Sequence, residues 1–171
     1  VVENLGGFTP LMFAARHGDI GSARLLLAAG ADVNDVAGNR ASALVLAVHS
    51  GHSPLAQFLL EHGADPDADG AGYTALHAAA LRGEIEAVEA LLAHGANPNV
   101  RLERGTPGRR ASEDWALKAR YVSATPFWFA AHFREPEIMR ALAEGGADPS
   151  LTTTEFWRSV GERAGGVGQN G

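Results

Sequence analysis

Alternating aspartates form the part of the sequence that most resembles a metal-binding loop. Asp65, Asp67 and Asp69, followed by Gly70, match the opening of a calcium-binding EF-hand loop. Such a loop needs a bidentate glutamate at its twelfth position, which is Leu76 here. Because that ligand is missing, the sequence favours a turn between two helices over a calcium site.

Seven histidines are the other candidates for metal ligands. His49 and His52 are three residues apart, but no third ligand lies nearby in the sequence, as a zinc site would need. His62 and His94 precede glycines at corresponding places in the chain, and His77 lies where it can hydrogen-bond between neighbouring units. We therefore predict structural or surface roles for the histidines and no metal or other cofactor.

Motifs of common enzyme classes are missing from the sequence. There is no nucleophile elbow, phosphate-binding loop or zinc-protease motif. The glycine-rich stretch 161–168 lacks the strand and helix that a nucleotide-binding loop requires. The segment Arg109-Arg110-Ala111-Ser112 resembles a phosphorylation site, but a solvated basic loop is the preferred interpretation. We predict no catalytic residues and therefore no enzyme.

Charge and composition narrow the choice of partner. The chain has 171 residues and a net charge of -6, and this charge argues against nucleic acid because phosphate binding needs a basic face. It has no cysteine, which excludes disulfides and thiolate metal sites. Apolar runs such as residues 41–48 are far shorter than a membrane span. The first residue is not methionine, so we expect a fragment of a longer chain.

A repeated frame organises most of the sequence. Each of four segments begins with a serine or threonine and closes with a Gly-Ala pair, whose glycine follows 21 residues later. The starting residues are Thr9, Ser42, Thr74 and Thr125, and the closing glycines are Gly30, Gly63, Gly95 and Gly146. The starts are 33, 32 and 51 residues apart. Such self-similarity is typical of repeat proteins.

Each segment is predicted to form two short helices. The starting Ser or Thr suits an N-cap, and the following Pro10 or Pro126 suits the first helical position. Glycines in three segments can end the first helix in a left-handed conformation; they are Gly18, Gly51 and Gly83. The fourth segment has Arg134 at this position, so we expect its turn to be built differently.

The frame resembles the ankyrin repeat, most clearly in the stretches TPLMFAARHG, LLLAAGADVN and TALHAAALRGEIEAVEALLAHGANPN. The stretch 124–149 is especially similar to repeats of long bacterial ankyrin arrays. The resemblance implies antiparallel helix pairs stacked side by side, with hairpin tips and first helices facing a concave groove. Arg40 departs from the pattern, which has glycine before the second repeat.

We therefore predict an all-α fold, an ankyrin-repeat solenoid of four stacked helix-turn-helix units with hairpin loops and one long insertion. The repeat domain is expected over residues 1–154. Its units are predicted at about residues 7–40, 41–72, 73–101 and 123–154, with the insertion at 102–122 and a flexible tail at 155–171.

The insertion is basic, whereas the chain as a whole is acidic. The stretch 101–122 has six basic and three acidic residues, which leaves the rest of the chain at -9. Its second half is predicted to form a short helix that begins after Ser112 and docks through Trp115 on the neighbouring repeats. We expect the insertion to shape the groove.

A binding surface is the expected functional site, because no catalytic group is found. The repeat frame places candidate partner-binding residues before each first helix and at its exposed end, and the insertion adds further candidates. They are Phe8, Arg16, His17, Arg40, His49, Tyr73, Leu81, Arg82, Arg109, Arg110, Trp115, His132 and Phe133. The predicted partner is an unidentified protein, bound by a monomer or by part of a longer array. The alternative is a structural segment that stiffens a larger repeat array and has no outside ligand.

Overall fold

Paired helices make up most of the chain that the structure describes. The structure is a computed structural model, and it describes residues 7–104 and 121–153. Within these ranges the helices are α1 (Pro10–His17), α2 (Ile20–Ala28), α3 (Ala43–His49), α4 (Ser53–Glu61), α5 (Ala75–Arg82), α6 (Ile85–Ala93), α7 (Pro126–Phe133) and α8 (Pro136–Glu144). The only β-pairing among these residues is an isolated antiparallel bridge between Val36 and Ser42. The predicted all-α solenoid of stacked helical pairs is confirmed.

The helices form two layers that run along the stack. In the inner layer, α1, α3, α5 and α7 each contact the next. In the outer layer, α4 contacts α6 and α6 contacts α8, and every inner helix also contacts its own outer partner. Contacts therefore run both within each helical pair and between neighbouring pairs, as in a linear repeat array. None of the helices in the described ranges is long and apolar enough to cross a membrane.

Alanines allow the inner helices to approach one another closely. Ala15, Ala47, Ala79 and Ala130 have no exposed surface, and each comes from a different inner helix. Larger leucines such as Leu59 and Leu91 fill the space between the two layers and are equally buried. Burial of this apolar surface supplies the main stabilisation of the stack.

The predicted N-cap hydrogen bonds are present at the starts of α1, α3 and α7, whereas at the start of α5 the Thr74 N–H donates to His77 Nδ1. The Thr9 hydroxyl accepts the Met12 backbone N–H at 3.4 Å. Ser42 and Thr125 make the equivalent bonds at 3.3 and 3.2 Å. These bonds satisfy backbone donors that the first helical turn leaves without a partner. These caps fix where α1, α3 and α7 begin.

The turn between α7 and α8 has the same form as the other three, so the expectation of a different turn at Arg134 is wrong. Arg134 takes the left-handed conformation that Gly18 has, with φ of 64° against 73°. The next residue closes the turn in the same way, since the Glu135 N–H donates to the Ala130 carbonyl at 2.9 Å. Arg40 also keeps the left-handed backbone, at φ 64°. The repeat geometry overrides the local preference for glycine.

Replacing Arg134 with glycine is expected to raise the free energy of unfolding by about 0.5–1 kcal/mol. Glycine removes the cost of a side chain at positive φ, which stabilises the folded state. This gain is partly offset because glycine also makes the unfolded chain more flexible. Urea denaturation followed by circular dichroism measures this change. Arg140→Gly, in the exposed part of helix α8, is the control and should lower stability by roughly 1 kcal/mol. A loss of stability in Arg134→Gly would contradict the prediction.

Candidate functional site

The ends of the inner helices lie in a row, because these helices stack in register. At the two ends of the row the side chains are exposed, namely Arg16 and His17 on α1 and His132 on α7. In the middle they are less accessible: His49 and Arg82 are half-buried, and Leu81 is only 3% exposed. The row therefore has solvent-facing polar side chains at its ends and a packed centre.

The centre of the row brings together three of the predicted residues from neighbouring units. The rings of His49 and Tyr73 lie 6.2 Å apart, and Arg82 donates from Nη1 to the His49 carbonyl oxygen at 3.3 Å. Tyr73 is 7% exposed, so most of its ring packs within the protein. Tyr73 and Leu81 consequently offer little surface to a partner.

An ion pair on the turn between α5 and α6 orients Arg82. The guanidinium lies 3.3 Å from Glu84 Oε1, and the Ser53 hydroxyl donates to Glu84 Oε2 at 2.9 Å. The second and third helical pairs are thus joined by a hydrogen-bonded network. Glu84 and Ser53 were not selected from the sequence. The signal for Glu84 was its charge, which is opposite to that of Arg82 two residues earlier at a predicted turn.

Aromatic side chains cluster at the α7 end of the row. The exposed His132 ring stacks on Trp128 with centroids 4.7 Å apart and 12° between the planes. Phe133, which is half-buried, lies edge-on to His132 at 4.8 Å, and Tyr121 lies 5.6 Å from His132. Sequence reasoning selected His132 and Phe133 but missed Tyr121 and Trp128. The available signal was the four-residue spacing of Trp128 and His132, which places both on one face of a helix.

Two arginines lie against the hairpin bend at residues 70–72. Arg40, which is exposed, packs so closely that a Cβ on Gly70 would lie 2.8 Å from the Arg40 carbonyl oxygen. From the next hairpin, Arg104 donates through Nη2 to the Gly70 carbonyl at 2.9 Å. The Arg104 backbone N–H also donates to the Gly72 carbonyl at 3.0 Å. The hairpins therefore stack, and the structure adds Arg104 to the predicted Arg40.

Phe8 begins the row on the N-terminal side. Its ring is half-buried and lies 5.5 Å from the ring of Phe13. Phe13 was not selected from the sequence, yet half of its surface (50%) is exposed. The Phe8 site is therefore continuous with a second apolar surface on α1.

The two ends of the insertion are fixed to each other. The Leu102 N–H donates to the Ala124 carbonyl, and the Ser123 N–H donates to the Leu102 carbonyl, both at 2.8 Å. Leu102 and Tyr121 are buried. The predicted Arg109, Arg110 and Trp115, the helix after Ser112 and the tail at 155–171 lie outside the described residues.

His77 connects the third and fourth units from inside the core. Its Nδ1 accepts the Thr74 backbone N–H at 3.2 Å, and its Nε2 donates to the Ala124 carbonyl at 3.2 Å. The ring is therefore neutral with the proton on Nε2. Burial lowers the pKa of His77 to about 4, since no water can solvate the charged form. The predicted hydrogen bond between units is confirmed.

The aspartate loop uses its carboxylates to hold the backbone. Asp65 Oδ1 accepts the Asp67 N–H at 2.9 Å, and Asp67 Oδ1 accepts the Asn97 N–H of the next hairpin at 2.8 Å. No cluster of three or more metal-ligating side chains occurs within residues 7–104 and 121–153. The loop joins neighbouring hairpins through these bonds.

Hydrogen bonds lower the pKa of two exposed carboxyl groups. The Ser22 hydroxyl and backbone N–H donate to Asp19 at the start of α2. Ser150 makes the same pair of bonds to Asp148 and lowers its pKa in the same way. Both carboxylates stabilise local turns, because hydrogen bonds favour their charged form.

Comparison with known families agrees with this geometry. A family model described as ankyrin repeats (3 copies) matches residues 11–101, just over half of the chain. The chain belongs to the ankyrin repeat family. Ankyrin repeats are generally protein–protein interaction modules, and the family is generally non-enzymatic.

Several longer proteins with ankyrin repeats are similar to this chain. An ankyrin repeat-containing protein of Treponema pallidum (strain Nichols) is 40% identical over 106 residues, covering 61% of this chain and 36% of that protein. Mouse ankyrin repeat and SOCS box protein 16 is 39% identical over 152 residues, covering 82% of this chain and 31% of that protein. The chain thus spans about a third of the length of these two relatives.

Proposed function

We propose that the chain is a protein-binding module whose partner lies along the concave groove formed by the inner helices and the hairpin tips. The observation that carries this proposal is the row of inner-helix ends, which stacking in register makes continuous over four units. A continuous groove suits an extended or helical segment of another protein better than a small molecule, which needs an enclosed pocket.

Exposed side chains along the groove supply the contacts. Arg16, Arg40 and His132 are exposed, and the last of these is held by stacking on Trp128. Arginine and aromatic side chains dominate the binding energy of many interfaces. The buried Tyr73 and the paired Arg82 act mainly by holding the groove in shape.

The alternative function is a structural segment that stiffens a larger repeat array without an outside ligand. The apolar surface around Phe13 favours it, since that surface lies at the N-terminal end of the stack.

Charge reversal and truncation in the groove test the binding proposal. A binding partner is first isolated by affinity capture with the unmodified chain. The double variant Arg16→Glu/His132→Ala is expected to bind this partner at least about tenfold more weakly, because each of the two interface side chains contributes on the order of 1 kcal/mol or more. Isothermal titration of the purified partner against each variant gives the dissociation constants.

A matched double variant on the outer helical layer provides the control. Arg140→Glu/His94→Ala makes the same chemical changes at exposed positions of α8 and at the end of α6. It should leave the dissociation constant unchanged. The proposal is wrong if both double variants bind equally well or are weakened equally.

A further inference from the structure

Two arginines reach the hairpin bend at residues 70–72 from the hairpins on either side of it. From the following hairpin, Arg104 donates through Nη2 to the Gly70 carbonyl at 2.9 Å. From the preceding hairpin, Arg40 lies so close that a Cβ on Gly70 would be 3.4 Å from its Nε. Both guanidinium groups therefore lie beside the same glycine.

The bend has room for these arginines because it is built from glycines. A Cβ on Gly72 would lie 2.6 Å from the Cβ and 2.9 Å from the Nε of Arg104. A Cβ on Gly70 would lie 2.8 Å from the Arg40 carbonyl oxygen. Real Cβ atoms essentially never come this close to a neighbour, so a larger residue at either place would displace the arginine beside it.

Arg40 occupies its place at a conformational cost. Its backbone has φ of 64°, whereas the residue in register with it in the next unit, Gly72, reaches 88° without a Cβ. A residue with a side chain is less stable in this left-handed region than glycine is. Backbone strain of this kind clusters at functional sites. The position thus carries an exposed charge where glycine would give a more stable turn.

Both arginines are exposed and keep most of their hydrogen-bond donors for a ligand. Within residues 7–104 and 121–153 the only ion pair joins Arg82 and Glu84, so neither Arg40 nor Arg104 has a carboxylate partner there. A guanidinium has five N–H donors, and Arg104 uses one of them on the Gly70 carbonyl. The bend therefore presents two positive groups to an outside anion.

We propose that Arg40 and Arg104 bind two neighbouring acidic side chains, aspartate or glutamate, on the protein that occupies the groove. A guanidinium binds a carboxylate through two parallel N–H···O bonds, so two guanidiniums at one bend fit two carboxylates. This inference rests on the proposed binding function and specifies the chemistry of the partner at the hairpin tips.

The surroundings of the bend favour carboxylates over phosphate or nucleic acid. Asp69 and Glu103 adjoin the site in the sequence, and the chain has a net charge of -6. A phosphate dianion concentrates its charge at one point and a nucleic acid extends its charge over the acidic surface, so both meet stronger repulsion. Two carboxylates instead place one negative charge opposite each guanidinium.

A short peptide tests the site without an identified partner. It carries two adjacent glutamates between glycine and serine residues, and a second peptide has glutamines at the same places. NMR titration of the full chain, followed through the amide signals of Gly70 and Gly72, gives the dissociation constants. The glutamate peptide is expected to bind at least about tenfold more tightly, because only its carboxylates form charge-assisted bonds. Raising sodium chloride from about 50 to about 500 mM should weaken it, since salt screens exposed charges.

A pair of double variants assigns this binding to the two arginines. Arg40→Gln/Arg104→Gln is expected to bind the glutamate peptide at least about tenfold more weakly than the unmodified chain. Arg134→Gln/Arg140→Gln removes the same charge from exposed positions and is the control. Arg134 has the same φ of 64° as Arg40, but it follows an inner helix, whereas the hairpins precede these helices. The control should bind the peptide as the unmodified chain does.

Several results would overturn the proposal. Equal weakening in the two double variants would show that only the overall charge matters, and equal affinity for the two peptides would show that carboxylates are not recognised. A peptide with a single phosphoserine that binds more tightly than the glutamate peptide would identify a phosphate site. Displacement of the glutamate peptide by an equal concentration of a DNA oligonucleotide would indicate general binding of polyanions.

Failure of this inference can be told apart from failure of the groove proposal. Arg16→Glu/His132→Ala keeps both Arg40 and Arg104, so it should largely retain its affinity for the glutamate peptide while it loses affinity for the captured partner. If the captured partner is weakened by that variant but the two peptides bind equally, only the assignment of Arg40 and Arg104 is wrong. If the peptides are discriminated but the captured partner is not weakened, only the groove proposal is wrong.

Discussion

The free energy of unfolding is expected to fall by about 2 kcal/mol between pH 8 and pH 5 because of His77 alone. In the folded chain the pKa of His77 is about 4, whereas an unfolded histidine titrates near 6.5. Between these values the unfolded state binds a proton that the folded state does not. The stabilisation is therefore complete above the unfolded pKa and is lost as the pH falls towards 4.

The physical cause is that both nitrogens of the buried His77 ring make hydrogen bonds, one as an acceptor and one as a donor. Protonation of Nδ1 would remove the acceptor for the Thr74 N–H and place a charge in the core. Urea denaturation at a series of pH values measures the slope. His77→Leu, which has no proton to bind, should be less stable at pH 8 but show little further loss down to pH 5.

His94→Ala is the matched control, because it removes a histidine from the exposed end of α6. This variant should retain the full slope of the unmodified chain. If His77→Leu and the unmodified chain lose stability in parallel, the titrating group is not His77. The lowered pKa values of the Asp19 and Asp148 carboxyl groups keep their titration below this range.

Replacing Gly51 with alanine is expected to lower the free energy of unfolding by about 2–3 kcal/mol. A left-handed backbone at φ 81° costs about 1–2 kcal/mol for a residue with a Cβ. The new Cβ would also clash with Arg82 Nη2. Arg82 must then move, which weakens its bonds to Glu84 and to the His49 carbonyl.

Gly63→Ala separates these two effects. Gly63 has a similar φ of 88°, but a Cβ there would meet no atom within 4 Å. This variant should lose only the backbone part, about 1–2 kcal/mol. Thermal and urea denaturation of both variants give the difference, which measures the contact with Arg82. Equal losses in the two variants would show that Arg82 contributes nothing at this turn.

The helical pairs could be predicted from the sequence because their signals are local. An N-cap such as Thr9 and a closing glycine such as Gly30 act within one unit, and their fixed spacing marks every repeat. The turn at Arg134 could not be predicted, since its conformation is imposed by the stacking of α8 on α7 and on α6. The preference for glycine at positive φ, taken alone, wrongly predicted a different turn at Arg134.

The exposure of the candidate site residues was harder to predict, because it depends on neighbouring units. Phe8 and Phe13 lie on one short segment, yet the more exposed Phe13 is covered at the same position in later units. Tyr73 has the chemistry of an anchor but is buried beside His49. Arg104 lies near Arg40 only because its hairpin stacks on Gly70. These relations involve residues more than 20 positions apart.

The hydrogen-bonded pair of Leu102 with Ala124 has a consequence for how this molecule can be modified. It holds together the two chain segments that lead into and out of the insertion, which form a short stem. Loop-closure cost rises by only about 0.6 kcal/mol for each doubling of length. Residues between Arg104 and Tyr121 can therefore be shortened, lengthened or exchanged for a foreign epitope while the third and fourth units keep their alignment. The stem makes this junction a natural attachment point for a reporter or a new recognition sequence.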